Sequence, residues 1–162
     1  MHENPTIARS DHDDVVDAVL SASRVLVAIA ARSLAEVGEE VTLTQYRSLV
    51  VLASRGPQGV GSLADALGVT QPTASRLVDR MVKKGLVRRR TDRTDRRQVR
   101  VGLSESGRRL VDTVSARRRR EIAKLLRDVP TETQRAVAQA LRQLADAAGE
   151  VPEQDWSTGW DL

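Results

Sequence analysis

The sequence predicts a mainly α-helical fold carrying one small β-hairpin. Three observations lead there. Apolar residues recur at steps of three and four along most of the chain, and strict alternation is confined to Val99, Val101 and Leu103. Aromatic residues make up only 2%, with no Phe, so the core must be built from Leu, Val, Ile and Ala. Leu, Ala and Arg are good helix formers. Gly56-Pro57, Gly68, Gly85 and Pro130, finally, fall between the periodic segments. At 162 residues the chain suits one domain or one tightly joined two-part fold.

Met1–Ser10 reads as a loose tail. A long helix is expected from Asp11, with Val15, Val19, Leu20, Leu26, Val27 and Leu34 on its apolar stripe and Gly38 as its stop. Asp13, Asp14 and Asp17 suit its positive end. Thr44 is the expected cap of a second helix running to about Arg55, closed by Gly56-Pro57. Gly59 and Gly61 predict a turn-like link, and Ser62 is expected to cap a short helix, Leu63–Leu67. Gly68 breaks it, and a longer helix follows as far as Lys84. Two strands, Leu86–Thr91 and Gln98–Leu103, flank the polar stretch Asp92–Arg97. Ser104 caps a helix to about Val129, Pro130 interrupts it, and Thr131 begins a last helix with Val137, Leu141, Leu144 and Ala148 on its stripe.

Composition excludes several kinds of chemistry. There is no cysteine, hence no disulfide, zinc–thiolate site or thiol sensor. His2 and His12 are the only histidines and have no metal-site spacing to other ligands, so no metal or cofactor is expected. The most apolar run, Val25–Ala31, is seven residues long between Arg24 and Arg32, too short to span a membrane. The polar, acidic N-terminus does not read as a signal peptide, and a cytoplasmic location is expected. No nucleophile–base pair, phosphate loop or carboxylate cluster suggests an enzyme.

The segment Ser62–Val78 reads as a helix-turn-helix. Leu63, Leu67, Leu77 and Val78 can meet between two helices, and Ala64 permits a close crossing. Gly68 supplies the positive φ of a tight turn. Thr70 can cap the second helix, and Pro72 falls in its first turn, where a missing N–H costs little. Thr70, Gln71, Pro72, Thr73, Ser75 and Arg76 then form its leading end, which in this motif enters the major groove of DNA. Gln and Arg can each make two hydrogen bonds to a base edge.

Charge points the same way. Arg76–Arg100 holds eleven basic and three acidic residues, a net of +8, while the rest of the chain is at −4. A concentration of that kind attracts a polyanion in a salt-sensitive way. The hairpin carries Arg88, Arg89, Arg90, Arg93, Arg96, Arg97 and Arg100, and reads as a wing able to follow a DNA backbone or enter the minor groove. Asp92 and Asp95 are poor phosphate ligands, and are expected to pair with arginines and shape the wing loop. Arg117–Arg120 lies within a helix and reads as a solvated or ion-paired face.

Together, the helix order, the helix-turn-helix, Lys83-Lys84-Gly85-Leu86-Val87, the wing sequence Asp92-Arg-Thr-Asp-Arg-Arg97 and Leu103-Ser-Glu-Ser-Gly107 resemble the MarR (multiple antibiotic resistance regulator) family over roughly residues 11–148. The resemblance implies a winged helix-turn-helix regulator of transcription, expected to be a repressor. It implies an Arg at the position of Arg76 on the recognition helix and of Arg97 at the wing; Arg93 and Arg96 are expected wing contacts from their place in the basic hairpin, and Arg93 stands where many relatives have Pro. It implies a homodimer held by the first and last two helices, reading a pseudo-palindrome in double-stranded DNA, and a small phenolic or anionic effector. Arg32, Gln45, Tyr46 and Arg47 are polar residues able to line an effector pocket. The apolar stripes themselves suggest a dimer interface of Val19, Leu20, Leu26, Val27, Leu125, Leu141 and Leu144, because a soluble monomer rarely exposes so large a patch. The expected organisation is a tail at 1–10, helical dimerisation segments at 11–40 and 104–150, the winged helix-turn-helix at 41–103 and a C-terminal tail at 151–162, which carries Trp156 and Trp160. The alternative is a winged-helix protein-interaction module without DNA binding, which the basic recognition helix disfavours.

Overall fold

The computed structural model describes residues 10–37, 40–91 and 99–156. The expected stop at Gly38 and the tail before Ser10 lie outside these residues. The order is α1 (Asp11–Ala35), α2 (Leu43–Arg55), β1 (Gln58–Gly59), α3 (Val60–Leu67), α4 (Gln71–Lys83), β2 (Val87–Thr91), β3 (Val99–Leu103), α5 (Glu105–Leu125) and α6 (Thr131–Ala147), with a final 3₁₀ turn at Glu153–Asp155. The fold is mainly helical with a small antiparallel sheet, as its sequence predicts, although the sheet has three strands in the order β1-β3-β2. Strand β1 stands where the glycines predict a turn-like link. Two residues are too short for any periodicity to show, but Gln58 lies opposite Val101 and Gly59 opposite Arg100.

Helix starts follow capping chemistry. Ser10 caps α1 reciprocally with Asp13. The cap of α2 is Thr42, not Thr44. Thr42 Oγ1 accepts from the Gln45 backbone N–H at 3.2 Å, and Gln45 Oε1 accepts from the Thr42 N–H at 3.1 Å. Thr44 is followed three residues on by Arg47, which cannot return that second bond. Helix α3 begins three residues before the expected Leu63, with Gly59 as N-cap and no side-chain bond, so Ser62 lies inside the helix. Ser104 caps α5 as expected. Helix α5 stops at Leu125 rather than Val129, and Gln134 Nε2 on α6 donates to the carbonyls of Leu126 (3.0 Å) and Val129 (2.8 Å) in the connection.

The core centres on α2, which buries nine of its thirteen residues. Leu49 and Leu52 pack with Leu63, Val78 and Met81 of the helix-turn-helix, Val101 of the sheet, and Val111 and Val114 of α5. The outer helices differ. Helix α1 packs against α5 but buries only Ile29, Ser33 and Leu34. Helix α6 buries no residue at all. The expected interface residues Val19, Leu20, Val27, Leu125, Leu141 and Leu144 are all exposed in the single chain, and Leu26 is half-buried. Trp156 packs on the core of its own chain, its Nε1 donating to the Val151 carbonyl at 3.0 Å. Trp160 lies outside the described residues. Among those described, no helix is long and apolar enough to cross a membrane.

Candidate nucleic-acid interface

The helix-turn-helix is set by local chemistry. Gly68 closes α3 in the left-handed region (φ 65°), and the Val69 N–H returns to the Ala64 carbonyl at 3.0 Å. Thr70 caps α4, and Pro72 occupies its first turn. Ala74, Leu77, Val78 and Met81 are buried on one face of α4. The opposite face exposes Pro72, Thr73, Arg76, Arg80 and Lys83, with Gln71 exposed at the start of the helix and Ser75 half-buried. Thr70 is exposed as well, and its hydroxyl lies 2.9 Å from that of Thr73, so both belong to the cap. The structure therefore brings all six expected recognition-helix residues to one end of α4 and leaves Gln71 and Arg76 as its long exposed hydrogen-bonding side chains.

The far end of α4 is fastened to the sheet and to α5. Gly85 takes a positive φ of 70°, and the Leu86 N–H returns to the Met81 carbonyl at 3.0 Å. Ser104 ties three segments together. Its hydroxyl donates to the Gly85 carbonyl at 2.5 Å, its N–H donates to the Leu86 carbonyl at 3.0 Å, and its Oγ accepts from the Gly107 N–H at 3.0 Å. A Cβ at Gly107 would lie 2.1 Å from the Leu86 oxygen, so only glycine permits this approach. The Leu103-Ser-Glu-Ser-Gly107 sequence is thus a three-way joint at the root of the wing.

The ribbon pairs Val87 with Leu103, Arg89 with Val101 and Thr91 with Val99. Its arginines do not act alike. Arg89 Nη1 lies 2.7 Å from Asp79 Oδ1 on α4, and Arg100 Nη1 donates to the Pro57 carbonyl at 3.3 Å. Arg88 and Arg90 are exposed. The expected wing contacts Arg93, Arg96 and Arg97, and the shaping residues Asp92 and Asp95, lie outside the described residues.

Behind this surface the C-terminal segment folds back on α2 and α5. Arg47 donates two hydrogen bonds to Glu150, at 2.9 and 2.6 Å, and Arg55 Nη2 donates to the Gly149 carbonyl at 3.3 Å. The hydrogen bond from Arg47 holds the Glu150 carboxyl below the usual carboxylate range, and the same bond raises the Arg47 guanidinium. In the Arg117–Arg120 run, Arg117 pairs with Glu36 at 3.0 Å and Arg119 with Glu153 at 2.8 Å, the ion-paired face expected there. A cavity of 570 Å³ lies between α2, α5 and residues 150–156. Of the four polar residues considered for a pocket, only Arg47 lines it. Gln45 and Tyr46 are buried, Gln45 is engaged in its cap, and Arg32 is exposed at the end of α1. Sequence reading had no signal for the Arg47–Glu150 pair, whose partners are 103 positions apart.

Comparison with known proteins agrees with this geometry. The model of the MarR family matches residues 41–99, from α2 through the helix-turn-helix and β2 to the first residue of β3. The crystal structure of RV1404 from Mycobacterium tuberculosis is 38% identical, with a TM-score of 0.81 over 90% of this chain and 99% of that one. A MarR family protein from Bacillus stearothermophilus is 27% identical, with a TM-score of 0.71 over 88% of this chain and 100% of its own. A MepR variant from S. aureus, solved bound to an oligodeoxyribonucleotide, shares the fold at 20% identity, with a TM-score of 0.58 over 86% and 99% of the two chains. With a helix-turn-helix, a basic ribbon and the jointed step between them in one continuous stretch, the chain belongs to the MarR family of transcriptional regulators.

Proposed function

We propose that this regulator binds double-stranded DNA as a homodimer, acts as a repressor in the cytoplasm, and reads a pseudo-palindromic operator. The observation that carries the reading is the exposed leading end of α4, with Gln71 and Arg76 beside a ribbon in a 25-residue stretch of net charge +8. The helix would enter the major groove, where Gln71 and Arg76 read base edges and Thr70, Thr73 and Ser75 meet bases or phosphates. Arg93, Arg96 and Arg97 would hold backbone or minor groove at the flank, with Asp92 and Asp95 shaping that loop. The DNA-bound MepR variant, which has the same fold, supports this mode of use. Pairing the exposed stripes of α1, α5 and α6 about a two-fold axis would cover Val19, Leu20, Leu26, Val27, Leu125, Leu141 and Leu144 and present two recognition helices to successive major grooves. Binding is tuned by a small phenolic or anionic effector.

The test is fluorescence anisotropy against fragments upstream of neighbouring genes, repeated across a salt series, with sedimentation run in parallel. Expected are a dimer at micromolar concentration and an operator preferred over random DNA. In the variants, Arg97→Ala should flatten the salt dependence by about one unit of slope. Gln71→Ala or Arg76→Ala should remove about 1–3 kcal/mol of discrimination at one base pair. Equal loss on operator and random DNA would show that this face of α4 does not read sequence.

A further inference from the structure

The three consecutive arginines of β2 fall on two faces of the ribbon. Side chains alternate along a strand, so Val87 and Arg89 share one face while Arg88 and Arg90 share the other. Val87 is buried, and the residue opposite Arg89 across the ladder, Val101, is fully buried. Arg89 therefore stands on the inward face, one step beyond the core, where the ribbon passes along α4. There its guanidinium meets Asp79, the only acidic side chain of α4. Asp79 lies one helical turn beyond Arg76, on the same helix that carries the proposed base-reading end.

We infer that Asp79 is a positioning residue for DNA recognition, acting through Arg89 to fix the wing against the recognition helix. This rests on the proposed DNA-binding reading. The joint at Ser104 fastens the root of the ribbon, and β1 holds the outer edge of β3 through Gln58–Val101 and Gly59–Arg100. On the other edge, the Asp79–Arg89 pair ties β2 to α4. With β2 untied from α4, the ribbon would still present its cations, but not in fixed register with the major-groove contacts of the same protomer. Asp79 thus contributes to operator binding although its charge repels DNA. Ordinary electrostatics predicts the opposite, since removing a carboxylate beside a basic surface should tighten binding to any polyanion.

That opposition of sign makes the experiment decisive. Asp79→Asn, Arg89→Gln and the double variant are measured for operator and random DNA by anisotropy, with helicity and sedimentation confirming an intact fold. An exposed pair is weak, about a threefold effect per copy, and two copies act on one operator, so about a tenfold loss of operator affinity is expected. The loss should appear in Asp79→Asn even though that substitution removes a negative charge beside the DNA. The double variant should be no weaker than Arg89→Gln alone, and hydroxyl-radical protection should be lost at the wing flank while the major-groove contacts persist. Tighter operator binding by Asp79→Asn, or additive losses in the double variant, would overturn the positioning role and leave the DNA-binding reading intact. A wild-type protein that binds no DNA would remove both.

Discussion

Helices α4 and α6 are built on the same plan and used differently. Both are amphipathic, of 13 and 17 residues. Helix α4 turns Ala74, Leu77, Val78 and Met81 into its own chain and shows a polar face to solvent. Helix α6 buries nothing, and its stripe stays open, with Leu141 at 48% and Leu144 at 49% exposed. A 3.6-residue apolar period therefore reports that a face is meant to be covered, but not by which chain. The winged lobe closes on itself around α2, whereas the stripes of the helical ends stay exposed in the single chain, as the proposed dimer requires.

The sharpest way to break that contrast is Leu141→Asp. Within one chain the substitution should cost little, because the position is already half open to water. In a dimer it would place a carboxylate in an apolar seam, a penalty of several kcal/mol unless paired. The expected result is a helical monomer by sedimentation and circular dichroism, with operator binding lost because each half-site contact alone is weak. An unchanged dimer would mean that the stripe of α6 faces solvent in solution and that the two helices differ for some other reason.

The second substitution strikes where the winged lobe meets α5. Gly107→Ala puts a methyl group 2.1 Å from the Leu86 oxygen, a backbone atom that cannot step aside without moving the root of the wing. Overpacking of this kind costs about 1–3 kcal/mol. Urea denaturation should show a lower midpoint with an unchanged slope, and operator affinity should fall while the dimer persists. Wild-type stability in Gly107→Ala would show that the joint is looser than the Ser104 bonds indicate.

How much of this was legible in the sequence depends on distance along the chain. The helix-turn-helix could be read because Gly68, Thr70, Pro72 and the buried Leu77 and Val78 lie within a few residues of one another, and each has a local reason. The start of α2 lies two residues before the one Thr44 suggests, because only Thr42 has the reciprocal partner, Gln45, three residues on. Strand β1 could not be read, since only pairing with residues more than forty positions away makes it a strand. The same limit hid the roles of individual arginines. Arg88, Arg89 and Arg90 look alike in a row, and the register of the ribbon is needed to set Arg89 apart. The leading end of α4 was legible as a set of residues, and so was Ser104 as a cap, whereas the Asp79–Arg89 pair and the bonds of Ser104 to Gly85 and Leu86 were not.

The smallest expected effect lies at Glu150, where the C-terminal segment that follows α6 is fastened to α2 and so joins the two regions just contrasted. Both side chains of the Arg47–Glu150 pair are more than a third exposed, so solvent screening limits the pair to under about 1 kcal/mol. Its pH dependence has a definite sign. The Glu150 carboxyl is held below its ordinary range by the hydrogen bond from Arg47. A carboxyl depressed in the folded state stabilises fully above its unfolded value, and that contribution is lost as pH falls through the lower folded value. Arg47, raised further from an already high value, stays charged throughout. Glu150→Gln should therefore be slightly less stable than wild type near neutral pH, and the difference should close in acid. Urea denaturation followed by Trp156 fluorescence, in a Trp160→Phe background, reads this directly because Trp156 packs beside the pair in the cavity wall. A difference that persisted unchanged into acid would mean that the segment is held by the packing of Trp156 and Val151 rather than by the charge pair.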